Sequence, residues 1–259
     1  MRRLGWVILV LCACATMSTQ QEVQLGEQQS AEVNKQLPII QDAEVNRYVN
    51  TLGDSIAKLS DNRDLDWHFF VVNSPDVNAF ALPGGYIYVN RGLIEQADKM
   101  DELAGVLGHE IGHVIHRHSV KLIEKQQGAS LGLAVGCILT NVCNDPTTGA
   151  AINVAGNAVF SKFSRQDEQQ ADESAVTYVT RAGIDPQGLP SMFQTLLQEQ
   201  QSNPSTVETW FATHPTEQSR IADTQALIAK IDPAILRGLT QDTPGFHDFQ
   251  NRVKGLPRR

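Results

Sequence analysis

Apolar and polar positions along the chain switch between two periods, and the switches mark out the elements. From Asp42, a good N-cap, Val45, Val49, Leu52 and Ile56 recur at helical spacing and predict a helix with one buried face. The segment before it, Gln20 to Gln36, is polar and rich in Gln and Glu, and predicts an exposed helix ended at Pro38. Trp67-His68-Phe69-Phe70-Val71-Val72, bounded by Asn73-Ser74-Pro75-Asp76, has the pattern of a buried strand. Ala79 to Leu82 predicts a short strand, Pro83-Gly84-Gly85 a turn, and Tyr86 to Val89 a returning strand. From Gly92 the period becomes helical. Asp101 is a candidate N-cap there, and Leu103, Val106, Leu107, Ile111, Val114 and Ile115 supply the apolar positions through to His118.

Gly128 to Cys143 and Gly149 to Phe160 are small-residue, nearly uncharged stretches parted by Asn144-Asp145-Pro146, and they predict a buried helical hairpin. Neither reaches the roughly 20 apolar residues of a membrane span. Ser164 to Arg181 predicts a charged amphipathic helix stopped by Gly183, with further helices over Leu189 to Gln200 and Thr216 to Ile231. No repeat or composition break divides the chain. The expected fold class is therefore α+β: one mostly helical domain over residues 14–259, its core about 20–231, with a small β-sheet.

Composition removes some partners and suggests a compartment. A net charge of -8 argues against nucleic acid, which would want a basic face. Arg2 and Arg3 followed by apolar Leu4 to Ala13 predict an export signal over residues 1–13. Leu11-Cys12-Ala13-Cys14 resembles a bacterial lipobox, although Cys12 stands where a small residue is usual. Acyl chains on Cys14 would anchor the chain to a membrane. Ala15, in place of Asp, points to the periplasmic face of the bacterial outer membrane; an ordinary secretory signal cut nearby, leaving a periplasmic chain, is the alternative. An oxidising compartment permits a disulfide between Cys137 and Cys143, against the alternative of two buried thiols.

The chemistry centres on His109-Glu110-Ile111-Gly112-His113. Four residues apart on a helix, two imidazoles project from one face and can grip one Zn²⁺, while Glu110 stands beside the ion as a base. A catalytic zinc keeps three protein ligands and an open position. A third histidine six residues on is excluded, because Ser119 is there. The next acidic cluster is Asp167-Glu168 to Asp172-Glu173, in which Glu168 and Asp172 share a helical face. One could bind the ion while the other accepts the ring N–H of a ligand histidine. On spacing alone, Asp167 and Glu173 compete with Glu168.

His109 to His118, joined with Ser164-Arg165 to Glu168 and Ala171-Asp172, resembles the zinc peptidases that include HtpX, BepA, LoiP and the CAAX prenyl endopeptidase. Asn78 to Val89 and His214-Pro215 followed by Arg220-Ile221 fit the same pattern, so the resemblance spans Gln20 to Ile231 in four separated motifs. It implies a gluzincin-type fold with one Zn²⁺ per chain, His109, His113 and Glu168 as ligands, Glu110 as general base and Asp172 behind the ligands. It implies that His214 either plugs the open position or steadies the tetrahedral intermediate, with Arg220 as a second candidate for the latter. It makes neither His116 nor His118 a ligand; at 100° per residue, His116 neighbours the site and His118 falls nearly opposite, as a structural residue. His68 and His247 carry no motif.

By the same resemblance, the strand Tyr86 to Val89 or its neighbour offers an open edge to extended or unfolded polypeptides, as in a protease of envelope quality control. The competing class is a non-catalytic envelope assembly factor that holds clients in the same groove with a structural zinc. The segment after His214 is too short for the helical-repeat module of BepA-type relatives, so the small LoiP-like lipoprotein peptidases are the nearer pattern.

Overall fold

The computed structural model describes residues 16–60, 63–126, 162–215 and 218–258. The export signal, Cys14, and the hairpin with Cys137 and Cys143 lie outside the described residues.

Helix α2 (Ala43–Ala57) begins where its cap predicts. Asp42 Oδ1 accepts from the backbone N–H groups of Glu44 and Val45, and Val45, Val49, Leu52 and Ile56 form the buried face. Strands β1 (His68–Val72), β2 (Ala79–Leu82) and β3 (Tyr86–Asn90) make one sheet in the order β1-β3-β2, with β1 parallel and β2 antiparallel to β3. The β2–β3 turn needs left-handed backbone at Gly84 (φ 78°) and Gly85 (φ 100°), which glycine supplies without a Cβ clash. Since β3 is the central strand, Tyr86 to Val89 has no free edge; the edge strands are its neighbours β1 and β2, of which β2 lies against α4.

The period of two sorts this sheet into two buried faces. Phe69, Val71, Ala79, Ala81, Ile87 and Val89 join the main core, whereas Val72, Phe80, Leu82 and Tyr88 pack beneath Val33 and Leu37. Those last two come from, or just follow, α1 (Thr19–Gln36), which is therefore not the fully exposed helix that its polarity predicts. Glu22, Gly26 and Ser30 of α1 are buried, and the Ser30 hydroxyl lies 2.9 Å from that of Tyr88. A polar helix can cover a sheet when its buried polar groups find partners.

Helix α3 (Arg91–Gln96) leads into α4 (Met100–Ile115), the buried centre of the molecule. Lys99, not Asp101, takes the N-cap position; Asp101 lies buried within the first turn. Helix α5 (Arg165–Arg181) crosses α4 closely, because Gly108 and Gly112 leave no room there for a side chain. A Cβ on Gly112 would stand 2.9 Å from Ala171 Cα and 3.0 Å from its carbonyl oxygen. Helices α6 (Gly188–Ser202), α7 (Pro204–Thr213), α8 (Gln218–Ile228), α9 (Pro233–Leu236) and α10 (Pro244–Gly255) complete the shell. The core continues past Ile231: Phe246, Phe249 and Val253 of α10 are buried in it, and Phe249 stacks on Tyr48 at 4.4 Å. This is the expected α+β class, mostly helical with a small sheet. Among the described residues, no helix is long and apolar enough to cross a membrane.

Candidate metal centre

The α4–α5 crossing sets two pairs of side chains against each other. From α4 come His109 and His113, one turn apart; from α5 come Glu168 and Asp172, also one turn apart. Ser164 starts α5 with a capping box: its hydroxyl accepts from the Asp167 N–H at 3.2 Å, while the Asp167 carboxylate accepts from the Ser164 N–H at 3.0 Å. The box occupies Asp167. Glu173 bonds Gln169 on the outer face, which leaves Glu168 as the acidic side chain of this cluster turned to both histidines.

Four donor atoms converge. His109 Nε2 lies 3.0 Å from His113 Nε2 and 3.4 Å from His214 Nδ1. Glu168 Oε1 lies 3.2 Å from His214 Nδ1 and 3.5 Å from His113 Nε2, and Glu168 Oε2 lies 3.6 Å from His109 Nε2. All four residues are buried, and their donor atoms lie within 4.8 Å of one another. Donors about 2.0–2.1 Å from one tetrahedral ion stand about 3.3 Å apart, so these separations bracket what such an ion requires. Charge points the same way. Among the described residues, Glu110, Glu168 and Asp172 are buried around Arg220, and although burial opposes it, Glu168 and Glu110 raise the His214 imidazole above its ordinary value, so these carboxylates form a cation-seeking pocket. Glu110 is also fully buried with neither carboxylate oxygen accepting a hydrogen bond. The residues present fit a metal ion.

Behind these atoms the supports differ. His109 Nδ1–H donates to Asp172 Oδ1 at 2.8 Å, which turns its Nε2 lone pair inward. Arg220 grips Asp172 with Nε (2.8 Å) and Nη2 (2.7 Å), reaches Glu168 Oε2 with Nη1 (2.6 Å), and lies 4.3 Å over the Phe193 ring. Arg220, the second candidate for steadying a tetrahedral intermediate, is thus held between two carboxylates on the far side of His109. His113 is supported by His118: the two Nδ1 atoms are 2.9 Å apart.

That contact corrects the expectation that His118 points away. α4 stops at Ile115, Arg117 adopts φ 57°, and helix resumes over 118–126, so the 100° count no longer applies past the stop. His116 sits where expected, near the site, bonded to Ser174 Oγ at 2.8 Å. Aromatic rings close the remaining sides: Phe163 stacks on His113 at 4.0 Å, and Trp210 lies 4.8 Å from the ring of His214. Neither ring belongs to a motif; both are adjacent to helix ends that only the folded chain brings to the site. A groove of about 490 Å³ between α5 and α8 reaches Glu168, Asp172 and Arg220 from solvent.

Burial and neighbouring charge compete in the ionisation of the cluster, and the winner differs from group to group. Burial pushes the Glu110 carboxyl above its ordinary range, aided by nearby Glu168 and opposed by His214, His109 and Arg220. It holds the His113 imidazole well below the usual value, hence neutral. For Glu168 burial acts upward too, but His214, His113 and His109 outweigh it and hold the carboxylate well below its usual range. The site is thus poised with neutral donor nitrogen on His113, an ionised carboxylate on Glu168, and a proton-seeking group at Glu110.

Residues 43–228 match Peptidase family M48. The Beta-barrel assembly-enhancing protease of Escherichia coli (strain K12) is 31% identical over 251 residues, covering 94% of this chain and 50% of that protein. The Mitochondrial metalloendopeptidase OMA1 of Schizosaccharomyces pombe is 28% identical over 182 residues, covering 67% of this chain and 50% of that protein. The Metalloprotease YcaL of Escherichia coli (strain K12) is 30% identical over 129 residues, covering 50% of each. The chain spans about half the length of the curated relatives it matches.

Proposed function

Because the chain belongs to peptidase family M48, we propose that it is a zinc-dependent endopeptidase that hydrolyses unfolded or misassembled polypeptides of the bacterial cell envelope. The observation that carries the proposal is the convergence of His109 Nε2, His113 Nε2, the Glu168 carboxylate and His214 Nδ1 beside a Glu110 carboxylate without a hydrogen-bond partner. His109, His113 and Glu168 hold the ion. When bound, zinc supplies Lewis-acid chemistry, acidifying water and polarising the scissile carbonyl. Glu110, its proton affinity raised by burial, takes the proton from the attacking water and delivers it to the leaving amine. Asp172 and Arg220 keep His109 and Glu168 in register for this.

His214 provides the control. It ends α7, its ring reaches the cluster through Nδ1, and its Nε2 lies 3.7 Å from Glu110 Oε1. These distances support a ring that holds the open position at rest, a latent arrangement that substrate must displace; steadying the tetrahedral intermediate is the other role open to it. An extended chain pairing along the β2 edge would enter over α4 and displace His214. The name of the first relative, a protease enhancing β-barrel assembly, supports envelope polypeptides as the substrate class. Export followed by lipidation at Cys14 would hold the enzyme at the periplasmic face of the outer membrane.

The decisive test is Glu110→Gln in the full-length chain. Zinc content should be retained while cleavage of an unfolded reporter falls by about 10²–10⁴-fold, the usual contribution of a positioned base. Cleavage at the wild-type rate would refute Glu110 as the base, whereas no cleavage by the zinc-loaded wild-type chain would favour a non-catalytic assembly factor.

A further inference from the structure

A buried ion cluster joins the first turn of α1 to the turn that follows α4, and nothing in the proposed chemistry uses it. Glu22 is fully buried. Arg63 Nη1 donates to both of its oxygens, at 3.1 and 3.2 Å, and Arg117 Nε donates to Oε2 at 2.7 Å. Arg63 also caps α4, since its Nη2 donates to the Val114 carbonyl at 3.0 Å. Arg117 Nη2 donates to the Met17 carbonyl, and the Met17 N–H donates to Glu124 Oε1 at 2.7 Å, so both sides of the turn are tied to α1 and its start.

Arg117 is the residue with φ 57°. A side chain with a Cβ holds left-handed backbone at a disadvantage and keeps it only where the surroundings over-determine it. Here the over-determining contacts are those of its guanidinium. The left-handed residue breaks the helix after Ile115, and past the break His118 meets His113.

The proton positions in that contact follow from the neighbours. His118 Nε2 faces Gln170 Oε1 at 3.1 Å and Asp167 Oδ1 at 3.5 Å, both acceptors, so Nε2 carries the hydrogen. If His113 offers Nε2 to the metal, its Nδ1 carries hydrogen and donates to His118 Nδ1. His109 and His113 thus have their tautomers fixed by different partners, a carboxylate for one and an imidazole for the other. We propose that His118 is the positioning residue for His113, and that Glu22, through Arg117, holds His118 in place, so that the N-terminal helix sets the geometry of the metal site.

The proposal rests on His113 being a zinc ligand, and the experiment separates the two. Zinc affinity of the full-length chain is measured by competition with a chromogenic chelator for wild type, His118→Phe, His118→Gln, Glu22→Gln and the double variant Glu22→Gln/His118→Phe. The unfolding temperature of each metal-free form is measured alongside, and Co²⁺ spectra report ligand geometry. Removing the partner of a ligand histidine weakens binding about 10- to 100-fold, which is the loss expected for His118→Phe. His118→Gln keeps an acceptor and should recover part of it. Glu22→Gln should lose about 3- to 10-fold and shift the Co²⁺ ligand-field bands. In the double variant Glu22→Gln should add no further loss, because the route through His118 is already cut. Equal affinity in wild type and His118→Phe, or additive losses in the double variant, would overturn the coupling while leaving the metal site intact. A wild-type chain that takes up no zinc would overturn the site and the coupling together.

Discussion

The two ends of α4 bury polar side chains to a similar degree and treat them in opposite ways. At the C-terminal end His109, Glu110 and His113 are buried, and each histidine has a partner on its outer nitrogen: Asp172 for one, His118 for the other. At the N-terminal end Asp101 and Glu102 are buried. Glu102 is satisfied, accepting from the Ser191 hydroxyl at 2.6 Å and the Asp98 N–H at 2.7 Å. Asp101 is not, since its Oδ1 is buried without a partner. Burial, and then the neighbouring Asp185 and Glu102 carboxylates, push the Asp101 carboxyl up to about 7. Burial of acid is therefore no mark of function by itself. What distinguishes the functional end is convergence, where four donor atoms from three elements share one point, and a second layer that fixes each donor.

The comparison is broken most severely by removing that second layer. Asp172→Ala leaves His109 without its acceptor and Arg220 without its bidentate partner, while Arg220 remains buried. Zinc affinity should fall by about 100-fold, at the upper end for such partners, and the metal-free chain should lose about 3–5 kcal/mol, as when one half of a buried ion pair is deleted. Chelator competition and urea unfolding read the two losses separately. Affinity within twofold of wild type would show that Asp172 does not support the ligand.

A smaller effect of opposite sign is expected at the fourth donor. If His214 occupies the position substrate needs, His214→Ala frees it, and cleavage of an unfolded reporter should rise about 3- to 10-fold as the competent fraction increases. Zinc stays bound through His109, His113 and Glu168. A fall in cleavage would assign His214 to the reaction itself, and no change under saturating zinc would remove it from the mechanism.

The same contrast explains what was legible in the sequence. Asp42 with Val45, Val49, Leu52 and Ile56, and Ser164 with Asp167, are local patterns whose partners lie within one turn, and the structure shows both. His109 with His113, and Glu168 with Asp172, share a face at i, i+4 on two helices that cross, but spacing left Asp167 and Glu173 in competition with Glu168, and the resemblance made the choice. α7 and α10 were not legible. Each begins with a proline, Pro204 and Pro244, which reads as a breaker inside a helix but fits its first turn, where no N–H is needed. His118 was misplaced because a periodic count assumes continuous helix, and the stop at Arg117 depends on Glu22, 95 residues earlier in the chain. Polar α1 hid its buried face for a related reason: Ser30 and Glu22 find partners on β3 and beyond α4 that no local window contains.

The mildest test sharpens the comparison from the other end of α4. A carboxyl held protonated in the fold contributes stability that is complete below its ordinary value near 3.8 and is lost as pH rises through about 7. Above that, Asp101 is an ionised group with Asp185 and Glu102 for neighbours, and its Oδ1 still lacks a donor. Asp101→Asn removes the charge at constant size, so its advantage over wild type should be small at pH 5 and grow to about 1–2 kcal/mol at pH 8, well below the full value of the displacement because water reaching the carboxylate screens it. Urea midpoints at the two pH values measure this, with zinc affinity and cleavage unchanged because Asp101 lies two turns from His109 on the same helix. A difference that does not depend on pH would mean that the carboxyl is ionised throughout and already paired. A gain in stability that also altered zinc binding would mean the two ends of α4 are coupled after all, and the N-terminal acid would then belong to the site.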